Sequence, residues 1–194
     1  AGAHCASCAL SEATRGHNAV RNNIFDISCA IDPTTEREPE GLVASRPTLR
    51  PADVLSPAAR VGCLAALDIG VTSPLGAMVG EDAAETMYQR KLAERRSIAA
   101  ELEDQGVEYI PMVWSSFGKP HPQASSILWQ FARRLARRRG AVRPEALLRN
   151  MCTDVGVCLA RRAARMSLAC WPRPVFEECF SEAPLPTHGP TTRV

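Results

Sequence analysis

The sequence predicts an α/β (α+β) protein with a central mixed sheet of about four strands flanked by helices. Four segments carry apolar residues at helical spacing, and four shorter apolar segments are bounded by glycine, proline or other turn residues. The two kinds of segment follow one another as helix, strands, helix, strand and helices, an order typical of helices packed on a mixed sheet. The 194 residues are 45% hydrophobic and 23% charged, as expected for a globular domain with one core.

The first half of the chain predicts one helix followed by strands. Apolar residues at helical spacing, among them Val20 and Ile24, predict a helix from about residue 18 to residue 30. Two prolines and a glycine in 32–41 end that helix. The last two of the three predicted strands are joined by the turn-rich link "SPAARVG". The three strands are 41–45, 50–56 and 63–72.

The second half of the chain predicts three helices and one strand. Gly106 and Gly140 are plausible helix stops. Pro111 has no N–H to donate, so it favours an edge strand or a bulge. Gly156 leaves open whether the last helix is continuous or interrupted. The helices are 82–105, 123–139 and 143–171, and the strand is 107–116.

Charge is distributed unevenly, although the formal net charge is only +2. Residues 81–104 contain seven acids and four bases, whereas residues 124–143 contain six arginines and no acid. This asymmetry predicts a basic surface that faces an anionic partner. No apolar stretch approaches the roughly 20 residues that a membrane-spanning helix needs, so a membrane partner is not expected.

The eight cysteines leave three interpretations open. They could be reduced thiols, ligands of a metal site near the N-terminus, or a disulfide framework in an interaction protein. The chain begins with neither Met nor a secretory signal, so we expect a fragment of a longer intracellular protein with reduced thiols.

Two aspartates stand in apolar segments that are predicted to be neighbouring strands. A hairpin with its tip near Arg60 and Val61 would set Asp53 opposite Asp68, with Cβ atoms about 5 Å apart. A tip one residue away would make the pair diagonal, at about 7–8 Å. Two carboxylates so close call for a cation, and oxygen ligands favour Mg²⁺ or a similar ion. The alternative is that Asp53 only begins a strand while Asp68 faces solvent.

Several motifs, taken in order, resemble a known nuclease family. They are "GHNAVRN", "EREPEGL", "RPADVL", "ALDIGVTSP", "YQRKLAERR" and "GVEYIPMVWSSFG", and they span about residues 4–118. The chain resembles the restriction-like endonuclease region of non-LTR retrotransposon polyproteins, within the PD-(D/E)xK superfamily. The resemblance implies a restriction-endonuclease-like core over residues 18–140.

The resemblance also implies roles for individual residues. Asp53 and Asp68 would hold Mg²⁺ or Mn²⁺, although Ala52 separates Asp53 from the proline of the motif. The superfamily places a lysine two positions after the second acid, where this chain has Gly70. In the retrotransposon family this lysine is displaced to the next helix, so Lys91 is the candidate that positions water. Alternatives on that helix are Arg95 and Arg96, although arginine cannot act as a base because it stays protonated.

A third metal ligand could come from the acids that precede the strands. The superfamily often adds an acid from the first helix or strand, and Glu38 and Glu40 are at that place here. The alternative is that both are solvated loop carboxylates.

The family places a CCHC zinc knuckle just before the "HN" motif. His4 and Cys8 have the spacing of its second half, which would make residues 1–17 the remnant of a knuckle that begins upstream. A complete Zn²⁺ site would need four ligands, for which Cys5 and His17 are also near. His17 could instead cap or pack the first helix.

The helix at 123–139 carries four arginines that would form a positive stripe. Arginine matches phosphate geometry, so this stripe is a candidate DNA-backbone contact, with a solvated helix surface as the alternative. Trp114 and Trp129 could stack bases, but a core or edge role is the simpler expectation. The arginines are Arg133, Arg134, Arg137 and Arg138.

We therefore expect a metal-dependent DNA endonuclease that nicks target DNA to prime reverse transcription. Its location would be nuclear, and RNA could be a partner through the rest of the polyprotein. A catalytically inactive nucleic-acid-binding module with the same fold is the alternative. Beyond the core, we expect a helical extension at 141–171 and a disordered tail at 172–194.

Overall fold

The structure is a computed structural model that describes residues 10–73, 82–140 and 142–169. Its class is the predicted one, a mixed sheet of four strands flanked by helices. The elements in chain order are α1 (Leu10–Ile31), β1 (Glu36–Arg37), β2 (Val54–Ser56), β3 (Leu64–Thr72), α2 (Ala83–Asp104), β4 (Val107–Ser115), α3 (Pro122–Arg139) and α4 (Pro144–Ala169).

The sheet has the order β1-β2-β3-β4. The first three strands are antiparallel, and β4 runs parallel to β3 after the crossover through α2. Ser56 lies opposite Ala65 and Val54 opposite Leu67, which is the predicted hairpin register. β4 is an outer strand, so the edge position expected for Pro111 is confirmed.

The sheet separates two apolar clusters. The larger one packs β2, β3 and β4 against α1, α3 and α4, with Trp114 and Phe131 among its largest fully buried side chains. The smaller one lies under α2, where Ile98 and Leu102 cover Leu55 and Ala66. Because side chains alternate along a strand, Asp68 shares the α2 side with Ala66.

The structure corrects or completes four of the sequence predictions. The strand expected at 50–56 is shorter and spans only Val54–Ser56. α1 begins at Leu10, so residues 10–17 are helical and continue into the core helix. α4 is continuous through Gly156. The strand expected at 41–45 is wrong, because successive turns form there: Gly41 N–H donates to Pro47 O, and Arg46 N–H to Val43 O.

β2 pairs with β3 on one side and with β1 on the other. β1 lies in the segment where two prolines and a glycine predicted a break. Glu36 pairs with Leu55, and Arg37 with Val54. The apolar residue that suggested a strand, Val43, is fully buried in the smaller cluster while its backbone turns. An apolar residue can be buried without the alternating pattern of a strand, and this explains why the strand predicted at 41–45 was wrong.

In the part of the chain that the structure describes, no helix combines the length and apolar character needed to cross a bilayer. The expected tail at 172–194 lies outside the described residues.

Candidate active site

Asp53 lies immediately before β2, where its carboxylate continues the hydrogen bonding of the sheet. Its Oδ2 accepts the Ile69 N–H at 2.7 Å, and its Oδ1 lies 3.0 Å from His17 Nε2 on α1. Burial opposes ionisation of Asp53, but the bonds from His17 and Ile69 and the charges of His17 and Lys91 outweigh it. The pKa of Asp53 is consequently held below its ordinary value.

Asp68 lies in the middle of β3 and is only 8% exposed. Lys91 Nζ on α2 donates to its Oδ1 at 2.8 Å, and the Tyr109 hydroxyl on β4 donates to its Oδ2. Burial and the negative charge of Asp68 raise the pKa of Tyr109 far above its ordinary value. The phenol therefore stays protonated and serves as a fixed donor to the carboxylate.

Asp53 lies next to the residues that flank Asp68. The register of β2 and β3 ends at Val54 and Leu67; beyond it, the Asp53 N–H donates to Leu67 O at 3.0 Å and the Asp53 carboxylate accepts the Ile69 N–H. The two aspartate carboxylates nevertheless take different partners, because Asp53 contacts α1 while Asp68 contacts α2 and β4. Lys91 links the two, since it bonds Asp68 and its charge also lowers the pKa of Asp53.

Gly70 explains how a lysine from α2 reaches the strand. A Cβ atom added at Gly70 would lie 2.8 Å from Lys91 Cε, closer than real Cβ contacts come. The Lys91 stem therefore occupies the space that a side chain at position 70 would fill. A cation from the facing helix therefore lies beside Gly70 and bonds Asp68.

The other predicted site residues lie around this centre with different partners. Glu38 donates its N–H to Asp53 O at 2.8 Å, but its carboxylate is paired with Arg21 and Arg50. Glu40 pairs with Arg50 at 2.8 Å. Arginine charges therefore neutralise both glutamates.

The two arginines named as alternatives to Lys91 do not replace it at Asp68. Arg95 lies beside Tyr109, where its charge and hydrogen bond act on the phenol. It also lines a pocket of about 430 Å³ between α2 and the start of β4, together with Leu92 and Tyr109. Arg96 is exposed.

His17 and Tyr109 are the site residues whose contacts with the aspartates the sequence did not predict. The sequence offered a helix cap or a zinc ligand for His17, whereas the structure bonds it to Asp53. The signal for Tyr109 was available in principle, because the parallel register sets Asp68 beside Pro111, two residues from Tyr109 and on the same face.

Of the five arginines in α3, two of the four predicted to form the stripe bond backbone carbonyls, and one of these, Arg138, is itself exposed. Arg134 donates to the carbonyls of Pro57 and Arg60, and Arg138 donates to the carbonyl of Ile31. These two guanidinium groups hold the β2–β3 link and the end of α1 against α3. The remaining two of the predicted four, Arg133 and Arg137, are exposed.

Arg133 and Arg137 border a groove of about 370 Å³ next to the hairpin tip. Trp129 and the 88% exposed Val61 also line it. Trp114, in contrast, is a core residue with 2% exposure. Of the two tryptophans considered as stacking platforms, only Trp129 therefore lies beside the exposed arginines.

Among the described residues, Asp53 and Asp68 are the pair that the sequence proposed for a hard divalent cation. Mg²⁺ commonly takes one or two carboxylates and keeps water in its other positions, which Asp53 and Asp68 could satisfy. Within the described ranges, no group of three or more His, Cys, Asp and Glu side chains is arranged to hold a metal ion.

Three of the four candidate zinc ligands lie outside the residues in which a metal-binding group could be sought. His4, Cys5 and Cys8 lie outside the described residues, and His17 is taken by Asp53. The described cysteines are free thiols: Cys29, Cys63, Cys152 and Cys158.

Comparison with models of known protein families gives no match, and no curated protein matches the sequence significantly.

Proposed function

We propose that the chain is a metal-dependent DNA endonuclease domain of a retrotransposon-derived polyprotein. The observation that carries this proposal is the contact of Lys91 with Asp68 across Gly70. A cation from a helix is held at the strand position where the superfamily has its lysine, and a second aspartate, Asp53, bonds the two residues that flank Asp68. The substrate would be a phosphodiester of target DNA, and the nick would expose a 3′ hydroxyl that primes reverse transcription.

The described side chains have distinct parts in the proposed reaction. Asp53 and Asp68 are the residues that would hold Mg²⁺ or Mn²⁺, which when bound supplies a water of lowered pKa and stabilises phosphoryl charge. Lys91 orients the attacking water and offsets negative charge on the phosphate. His17 and Tyr109 fix the orientations of the two carboxylates by the bonds described above.

Substrate affinity would come mainly from contacts with the DNA backbone. Arg133 and Arg137 are exposed beside Trp129, so phosphates and an unstacked base could meet on this surface. Arg134 and Arg138 contribute by holding that surface in place. RNA contacts through other parts of the polyprotein, and a nuclear location, belong to the same proposal.

The experiment that tests this function is nicking of supercoiled plasmid in Mn²⁺ or Mg²⁺. We expect wild type to convert supercoiled DNA to open circles, and EDTA to stop the reaction. Asp68→Ala and Lys91→Ala should each lower the rate by about 10²-fold or more. Arg90→Ala, which removes an exposed cation of the same helix, is the control and should leave the rate near that of wild type. Nicking that persists in Asp68→Ala would remove the proposed site.

A second candidate is a binding module that keeps the fold and cuts nothing. One observation favours it: all four carboxylate oxygens of Asp53 and Asp68 already have protein partners. A divalent ion would have to compete with Lys91 for Asp68. This candidate predicts DNA affinity that is unchanged by Mn²⁺ and by Asp68→Ala, with no nicking by wild type.

A further inference from the structure

A groove between α1 and α4 gathers positive charge away from the candidate active site. It has a volume of about 170 Å³, several times the roughly 30 Å³ that one water occupies in the liquid. Among the described residues that line it there is no carboxylate. The charged ones are Arg15, Arg161, Arg162 and Arg165.

Arg162 is held at the base of this groove by helix packing. Gly16 on α1 leaves room for its stem, because a Cβ atom at position 16 would lie 2.1 Å from Arg162 Cδ. The Nε atom of Arg162 is buried and makes no hydrogen bond with any described residue. A guanidinium group desolvated without an opposing charge is costly, and burial lowers its pKa.

Two exposed arginines of α4 lie beside Arg162. Arg161 precedes it directly, and Arg165 follows one turn after Arg161 on the same side of the helix. Cys158 also lines the groove; the charge of Arg161 lowers the pKa of this thiol, and the charge of Asp154 raises it. The groove therefore keeps an excess of guanidinium groups whose planar donors match phosphate oxygens.

The groove and the candidate active site both contact the same turn of α1. Gly16 packs on Arg162, and the next residue, His17, bonds Asp53. A helix with its side chains is about 10–12 Å across, and one DNA strand advances about 3.4 Å per nucleotide. A strand bound at Asp53 would therefore need only about three or four nucleotides to pass from one place to the other.

We propose that the groove between α1 and α4 binds a backbone phosphate of DNA a few nucleotides from the bond that is cut. This inference rests on the proposed function for its ligand. It goes beyond it by assigning Arg161, Arg162 and Arg165 to substrate binding, on a helix that contributes nothing to the candidate active site. This contact fixes the DNA strand on the α1 side of the protein, while Arg133 and Arg137 on α3 hold another part of the DNA.

The test is the salt dependence of DNA binding, measured in EDTA by fluorescence anisotropy with a labelled duplex. Each arginine–phosphate contact contributes about 0.9 to the slope of log affinity against log salt concentration. We expect Arg161→Gln and Arg165→Gln each to reduce the slope by about 0.9. Arg149→Gln, an exposed arginine of α4 outside the groove, is the matched control and should leave the slope unchanged.

The alternatives give different results. Unchanged slopes in the groove variants, or an equal reduction in Arg149→Gln, would overturn the proposal. A second arm measures thermal unfolding in inorganic phosphate against chloride at equal ionic strength. Stabilisation by phosphate that is lost in Arg161→Gln, with an unchanged DNA slope, would assign the groove to a free phosphate and contradict a DNA contact. Asp68→Ala should stop nicking without changing the slope, so failure of the active site is distinguished from failure of the groove.

Discussion

At the scale of single residues, the candidate site depends on a lysine stem that crosses a glycine. Lys91 reaches Asp68 through the space beside position 70, where a side chain would crowd its Cε atom, and the resulting bond joins α2 to the middle of β3. The Lys91–Asp68 pair is largely shielded from solvent, with side chains 16% and 12% exposed. Removing one partner of such a pair leaves an uncompensated charge, which is strongly unfavourable.

Gly70→Ala tests this crossing directly. The new Cβ atom would force the end of Lys91 away from Asp68, since 2.8 Å is too close for a carbon–carbon contact. We expect nicking to fall at least tenfold, while the far-UV circular dichroism spectrum stays that of wild type. Gly118→Ala is unsuitable as a control because its φ is +90°, whereas Gly156→Ala lies in open space on α4 and should leave nicking unchanged. A fully active Gly70→Ala protein would show that the Lys91 position is not needed.

At the scale of elements, α2 begins at a well-defined cap. Asp82 accepts hydrogen bonds from the N–H groups of Ala84 and Glu85, and Lys119 Nζ lies 2.7 Å from its Oδ2. The pKa of Asp82 is lowered most by the hydrogen bond from Lys119 and next by the hydrogen bond from the Ala84 N–H. The cap fixes where the helix that carries Lys91 starts.

A comparison of Asp82→Asn with wild type tests the charge of this cap. Asparagine caps helices nearly as well as aspartate but cannot pair with Lys119. A carboxylate with a lowered pKa stabilises the fold above its unfolded pKa, and this stabilisation is lost as pH falls through the folded value. We therefore expect wild type to have the higher melting temperature at neutral pH, and the two curves to converge in acid. If the two melting temperatures still differ at a pH below the lowered pKa of Asp82, the stabilising role of the Asp82–Lys119 ion pair would be contradicted.

The contact of α1 with α4 gives a second prediction at this scale. Gly16→Ala would insert a methyl group where Arg162 Cδ lies 2.1 Å away, and overpacking costs about 1–3 kcal/mol. Gly156→Ala, on α4 with nothing within 4 Å, should instead stabilise the protein by about 0.4–1 kcal/mol. Urea unfolding measures both. Equal effects of the two substitutions would contradict the close packing at Gly16.

At the scale of the whole molecule, the sheet has its helices arranged asymmetrically. α2 and the turns that carry Val43 cover the face with Asp68, whereas α1, α3 and α4 pack together on the other face. The candidate site lies at the β2–β3 pair, where α1 supplies His17 and α2 supplies Lys91. Both covering layers therefore contribute to it.

The parts of this arrangement that follow local rules were predictable. Helical periodicity and the turn-rich link predicted the class and the hairpin register, which is observed from Val54–Leu67 to Ser56–Ala65. β1 was not predictable, because its two exposed residues carry no alternation and are ordered by pairing with β2. The His17–Asp53 bond spans 36 positions between elements, so no local pattern could indicate it. Lys91 was implied by family resemblance, and Gly70 supplies its physical reason.

The most direct test of the central claim moves the lysine back to the strand. We expect Lys91→Ala to abolish nicking of supercoiled plasmid in Mn²⁺, and Gly70→Lys combined with Lys91→Ala to restore at least a tenth of the wild-type rate. The added side chain would start from the space that the Lys91 stem leaves, on the same face as Asp68. A Lys91→Ala protein that nicks at the wild-type rate would contradict the assignment of Asp68 and Lys91 as the active site.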